Sequence, residues 1–198
     1  MKSSENLVWI DCEMTGLDVE KDCLVEIAVL VTDSELNILD EGMSVVIKPR
    51  EDSFSGMGEF VTNMHKESGL LDLLPKGLAV EEAEAQVLEY VKKFAPEART
   101  APLAGNSIGT DRMFINRYMP ALDAHLHYRN VDVSSIKELV RRWYPKVYFQ
   151  LPKKSGGHRA LADIRESIAE LVYYRKTVLV EAPGPTSDEA KASAEQTQ

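Results

Sequence analysis

Only two cysteines, Cys12 and Cys23, occur in 198 residues, which excludes a disulfide framework. Both fall in predicted strands, where a small buried thiol is the ordinary role. Long apolar runs are missing as well: the longest are far below the roughly 20 residues that cross a bilayer, and the N-terminus lacks a secretory signal pattern. A cytoplasmic chain with no membrane partner is expected. Basic charge is also in deficit, with 23 Lys and Arg against 32 Asp and Glu and a formal charge of −9. That balance repels nucleic acid at long range and argues against a protein that tracks long strands or duplexes through a basic groove. The basic residues Lys137, Arg141, Arg142, Lys146, Lys153, Lys154 and Arg159 do cluster late in the chain, where most of them read as solvated surface.

What is present is enough for one core. The hydrophobic fraction is 44%, and no strong linker interrupts residues 1–180, so a single domain is expected there. Residues 7–13, 23–33 and 37–48 read as strands of an antiparallel meander, separated by short turns such as Asp33-Ser34-Glu35. Shorter strands near 102–104 and 128–131 alternate with helices at 110–119, 134–144 and 159–176, which adds parallel strands to the same sheet. Two further helices are predicted at 56–67 and 80–94. The fold class is therefore α/β, a mixed sheet covered by helices. From 181 to 198 the chain turns to Ala, Pro, Ser, Glu and Thr and reads as a disordered acidic tail.

Three acidic motifs stand out. In the first, Asp11 and Glu13 follow the apolar run Leu7-Val8-Trp9-Ile10. Residues i and i+2 of a strand share a face, so both carboxylates emerge together at its C-terminal end. Paired buried carboxylates are tolerable mainly with a cation between them, and hard divalent cations prefer oxygen. An Asp-x-Glu pair alone reads first as a strand running out into solvent, because short motifs have many false positives. The second motif, Gly105-Asn106-Ser107-Ile108-Gly109-Thr110-Asp111, has Thr110 placed to cap a helix and Asp111 in its first turn, which helix-dipole stabilisation alone could explain. The third is His158-Arg-Ala-Leu-Ala-Asp163, after Gly156-Gly157 and before a helical stripe. Asp163 is then held rigidly, as a metal ligand must be, whereas His158 at the helix entrance suits a general base.

With the acids in this order, and with Trp9-Ile10-Asp11-Cys12-Glu13-Met14-Thr15-Gly16-Leu17, Leu103-Ala104-Gly105-Asn106-Ser107, His127-Tyr128-Arg129 and Asp132-Val133-Ser134, the chain resembles the DEDD exonuclease superfamily. The resemblance is to its His-containing branch, and within that to the oligoribonuclease family, up to about Lys176. It implies a ribonuclease H-like fold and 3′ to 5′ hydrolysis of very short RNA to mononucleotides. A substrate with few phosphates, captured locally, agrees with the acidic charge.

The resemblance also assigns roles. Asp11, Glu13, Asp111 and Asp163 would hold two divalent cations roughly 3.5–4 Å apart, Mg²⁺ or Mn²⁺ because all-oxygen ligation disfavours zinc, with His158 taking the proton from the attacking water. Ser107, Arg129 and Ser134 are implied around the 5′ phosphate of a dinucleotide. A helix N-terminus there, set by Ser135-x-x-Glu138 or by the competing cap Asp132, agrees with that role. Leu17 is implied as a wedge against the bases and Tyr128 as a stacking surface reaching in from the second subunit of a homodimer. Where the family often carries Trp after Met-Asp-Asp, this chain has Met57-Gly58-Glu59-Phe60, so Phe60 is either a smaller stacking face or core. The alternative activity is an exonuclease on longer RNA or on DNA 3′ ends. A non-catalytic binding module is disfavoured by the intact acids and histidine.

Overall fold

The computed structural model describes residues 5–152 and 159–197. Lys153, Lys154 and His158, all singled out above, lie outside the described residues. The chain opens with β1 (Leu7–Met14), β2 (Leu24–Thr32) and β3 (Met43–Val46), successive antiparallel neighbours. Helices α1 (Glu51–Ser55), α2 (Glu59–Glu67) and α3 (Val80–Phe94) precede β4 (Pro102–Gly105), which runs parallel to β1. Helices α4 (Ile108–Tyr118) and α5 (Pro120–His125) lead to β5 (His127–Asp132), parallel to β4. Then come α6 (Val133–Trp143), α7 (Pro145–Tyr148), α8 (Ala160–Thr177) and α9 (Ser187–Glu195). The sheet order is β3-β2-β1-β4-β5, the mixed, helix-covered sheet that the pattern of strands and helices predicts.

Burial follows the two-residue period of the strands. Val8, Ile10 and Cys12 join a core built with Val87 and Val91 of α3 and Phe114 and Ile115 of α4. Trp9 faces the other way, among Ile164, Ile168 and Tyr174 of α8 and Val140 of α6. Its indole Nε1 donates to Thr32 Oγ1 at 2.9 Å, so the largest buried ring also satisfies its polar atom. Both faces of β2 are covered, and all nine of its residues are buried. Both cysteines are free and buried.

Local chemistry explains where the elements depart from expectation. The third strand is shorter than 37–48 because Asp33 organises a tight turn, accepting N–H bonds from Glu35 and Asn37, and because Gly42 adopts a left-handed conformation, φ 81°, just before β3. The helix predicted at 56–67 begins only at Glu59, behind its N-cap Gly58, and a separate short helix, α1, ends before it at Gly56. Thr110 is not the cap of α4: the helix starts earlier, behind Ser107. Helices α5 and α7, absent from the sequence reading, each begin with a proline at a first-turn position, where its missing N–H costs nothing. Asp132 is the cap of α6, its side chain accepting from Ser134 N–H.

The C-terminal stretch expected to be disordered carries α9. Its start has a local cause: Thr186 and Glu189 form a reciprocal capping box, and the alanine-rich turns behind it have high helix propensity. Every residue of α9 is exposed. Deletion of residues 181–198 is therefore expected to shift the melting temperature by less than about 2 °C, under 1 kcal/mol for a chain of this size. Differential scanning fluorimetry of the truncated protein checks this, and a larger loss would show that the tail docks.

Candidate active site

The alternation that buries Trp9 places Asp11 and Glu13 on the same face, one and two steps beyond it along β1. Helix α8 covers Trp9 and begins just where that covering ends, so Asp163, in its first turn, comes to the two strand carboxylates. One oxygen from each of Asp11, Glu13 and Asp163 lies within 4.8 Å of the other two. Glu13 is only 8% exposed, and Asp11 and Asp163 are half-buried.

Asp111 approaches from α4. Its Oδ1 accepts the backbone N–H of Cys12 at 2.9 Å, which ties the first turn of α4 to the end of β1 between the two acids of the strand. Ser107, at φ 52°, makes the sharp entry into α4. Gly105 permits the close approach of β4 to β1, since a Cβ there would lie 3.0 Å from the carbonyl oxygen of Ile10 and 2.9 Å from Ile108 Cδ1. Asp111 thus neighbours the three-acid cluster without belonging to its tightest group.

The electrostatics of these acids favour a bound positive charge. Burial, then Asp111, Glu13 and Asp163, push the Asp11 carboxyl up to about 9. Burial, then Asp163, Glu26 and Asp111, push Glu13 up to about 8, against which Arg159 acts as a counter-charge. Burial also raises Asp111 to about 7, although the Cys12 N–H favours its charged form. Without a cation Asp11 and Glu13 hold protons at neutral pH, whereas a hard divalent cation would relieve both desolvation and mutual repulsion. The donor set, oxygen throughout, suits such an ion.

Three neighbours of the acids escaped the sequence reading. Glu26 is fully buried on β2, in register with Glu13 across the antiparallel pair. Arg159, counted above among surface cations, caps α8 and bonds to Glu26. His65 on α2 is fully buried, its Nε2 2.9 Å from the carbonyl oxygen of Met14, and its Nδ1 3.9 Å from Glu13 Oε2. A carbonyl only accepts, so Nε2 carries the proton. The one available signal was a glutamate inside the apolar run Leu24–Thr32, an unexpected residue for a doubly covered strand.

The remaining predicted residues fall into two groups. Ser107 and Ser134 meet: Ser107 N–H donates to Ser134 Oγ at 2.9 Å and to Asp132 Oδ1 at 3.0 Å, and the two hydroxyls are 3.2 Å apart. Arg129 does not close on them. Its guanidinium lies 5.4 Å from the centre of the Tyr128 ring, both residues on the exposed edge strand β5. Leu17, Phe60 and Tyr128 are exposed to 74, 81 and 74%, so none of the three is a core residue. Thr15 Oγ1, which accepts from Cys23 N–H, donates to Asp22 and braces the loop that carries Leu17. His158 lies outside the described residues. Among the described residues no helix is long and apolar enough to cross a membrane.

Comparison with known proteins adds the family. Residues 8–171 match the family described as Exonuclease. The chain is 63% identical to the oligoribonuclease of Leifsonia xyli over 192 residues, covering 97% of this chain and 93% of that protein. It is 60% identical to the oligoribonuclease of Streptomyces coelicolor, covering 96% of each. Among solved structures it resembles Escherichia coli exonuclease I in complex with a dT13 oligonucleotide, with a TM-score of 0.65 at 18% identity, covering 87% of this chain and 41% of that one. Exonuclease I of Methylocaldum szegediense gives a TM-score of 0.61 at 19% identity, again covering 87% of this chain and 41% of that one. The chain thus spans about two fifths of these structures, and at such identity the likeness concerns the fold. With the acids of β1, α4 and α8 brought to one strand end on this sheet, the chain belongs to the oligoribonuclease family of 3′–5′ exonucleases, with the ribonuclease H-like fold.

Proposed function

We propose that this protein hydrolyses very short RNA from the 3′ end, 5′-phosphorylated dinucleotides above all, and releases mononucleotides in the cytoplasm. The observation that carries the proposal is the convergence of Asp11, Glu13 and Asp163 within 4.8 Å, a carboxylate cluster in need of a cation. Its relatives' name, oligoribonuclease, supports the substrate class.

Asp11, Glu13, Asp111 and Asp163 would hold the divalent cations, two of Mg²⁺ or Mn²⁺. When bound, these supply charge neutralisation and lower the pKa of the attacking water. His158 accepts the proton of that water as it attacks the phosphorus; the bond from phosphorus to the 3′ oxygen breaks, and that oxygen leaves with the bonding pair and takes a proton from solvent to become the 3′ hydroxyl. The Cys12 N–H orients Asp111, and the first turns of α4 and α8 keep Asp111 and Asp163 rigid. At the other end of the substrate, the hydroxyls of Ser107 and Ser134 and the start of α6 offer donors to a terminal 5′ phosphate, with the Arg129 fork as its counter-charge. Leu17 and Phe60 provide apolar surface for the bases. Tyr128, exposed on the edge strand, stacks on a base in the second subunit of a homodimer.

Replacement of Asp11 or Asp163 by Asn is expected to leave the protein folded and to lower turnover by more than the roughly 10- to 100-fold that loss of an outer partner of a metal ligand costs. Near wild-type turnover at saturating Mg²⁺ or Mn²⁺ would reject the acid site.

The raised carboxyls set a pH dependence. Acids whose folded pKa is raised hold protons that the unfolded chain has already lost, so metal-free stability declines as pH rises from the ordinary carboxylate range towards about 9, the value for Asp11. Thermal melts of the metal-free protein between pH 5 and 8 should show the melting temperature falling. Added Mn²⁺ should raise it more at the alkaline end, and a flat metal-free profile would contradict the electrostatics.

Arg129→Ala is expected to reduce kcat/KM for 5′-phosphorylated two-mers roughly ten- to a hundred-fold, the effect of losing a charge-assisted contact of about 1.5–3 kcal/mol. Two-mers with a 5′ hydroxyl should lose much less. Equal wild-type rates on two-mers and five-mers would instead favour a general exonuclease acting on longer RNA or DNA 3′ ends.

A further inference from the structure

Glu26 has no part in the chemistry described so far, yet it is fully buried beside it. It stands opposite Glu13 in the β1–β2 register, where an apolar residue would stabilise the sheet more. Its Oε1 accepts from Ser44 Oγ at 2.6 Å and from Arg159 Nη2 at 3.1 Å. Glu26 Oε2 and Arg159 Nε are both buried without a hydrogen-bond partner among the described residues. Arg159 is also the residue from which α8 starts: its carbonyl accepts the N–H of Ala162 at 2.9 Å and of Asp163 at 3.1 Å. One residue therefore connects the buried carboxylate of β2 to the first turn of the helix that carries an acid of the site.

We propose that Glu26 and Arg159 form a positioning pair: Glu26 anchors the Arg159 guanidinium and thereby sets where Asp163 stands relative to Glu13 on the neighbouring strand. The inference rests on the acids being a divalent-cation site. A carboxylate and a guanidinium offer a fork geometry that a hydrophobic contact lacks, and among the described residues no side-chain cap bond from Arg159 fixes the start of α8. Partners that orient metal ligands in this way typically contribute about 10- to 100-fold in activity or affinity. Arg159 also presents positive charge to Glu13, so charge and position have to be separated by experiment.

The variants Glu26→Gln, Arg159→Gln, Arg159→Lys and the double Gln variant separate them. Mn²⁺ affinity is measured by calorimetry, and kcat and KM on a short RNA at saturating Mn²⁺. Charge alone moves the two single Gln variants in opposite directions, with weaker Mn²⁺ binding without Glu26 and tighter binding without Arg159, and it leaves Arg159→Lys near wild type. A positioning pair lowers kcat about 10- to 100-fold in both Gln variants and in Arg159→Lys, with KM little changed, and the double variant falls no further than the worse single one. Opposite shifts in Mn²⁺ affinity with kcat unchanged, or wild-type kcat throughout, overturn the inference. A wild-type protein that binds no Mn²⁺ overturns the cation site beneath it. The Arg159 side chain is 42% exposed, so its variants carry the test if Glu26→Gln does not fold.

Discussion

Repulsion among Asp11, Glu13 and Asp163 is the constraint around which the surrounding structure is arranged. Three carboxylate oxygens within 4.8 Å of one another, on side chains half-buried or more, are unfavourable unless they are protonated or matched by a cation. What forces them together is the covalent period of β1 and the burial of Trp9 beneath α8, and each fully buried large apolar side chain contributes about 1.5–3 kcal/mol. Helix dipoles offset some of the repulsion, because Asp111 and Asp163 sit in the first turns of α4 and α8. At about 0.3–1 kcal/mol each, these dipoles are small beside the burial cost of the charges. The site is therefore held in place by the core and completed by an ion.

The same reasoning explains why the chain can be acidic overall and still serve a nucleic-acid family. Among the described residues, four of the cations that looked like a basic cluster in sequence are paired within the protein. Lys137 bonds to the buried Glu170, Arg141 and Arg142 both reach Glu138, and Arg159 reaches Glu26. A strand-tracking groove needs cations left open to phosphates. Pairing of these cations within the protein leaves less open charge for a long strand, which accords with the proposed substrate of few phosphates.

Around the acids, polar groups are shared between elements distant in sequence. Cys12 N–H binds Asp111, Ser44 binds Glu26, His65 binds the carbonyl of Met14, and Asn106 Nδ2 donates to Ser167 Oγ on α8 at 2.8 Å. Each bond contributes only about 0.5–1.5 kcal/mol net, but leaving such a buried group unpaired costs more. The set therefore selects one relative placement of β1, β2, α2, α4 and α8, which a metal site requires of its ligands.

Sequence alone was sufficient for the features carried by local rules. Alternation placed Asp11 and Glu13 on one strand face, helical periodicity placed Asp163 early on α8, and the order of strands and helices implied the mixed sheet. The order of the acids, with their flanking residues, also made the family legible. Local rules failed where two of them competed: proline starts produced α5 and α7, and Ser107 displaced Thr110 as the entry to α4. Tertiary structure alone decided that Glu26 stands behind Glu13, that Arg159 pairs with the buried Glu26, and that Arg129 stacks on Tyr128 instead of meeting Ser107 and Ser134. The physical reason is range: strand alternation and capping act over a few residues, whereas the pairing of buried charges depends on which segments the core brings together.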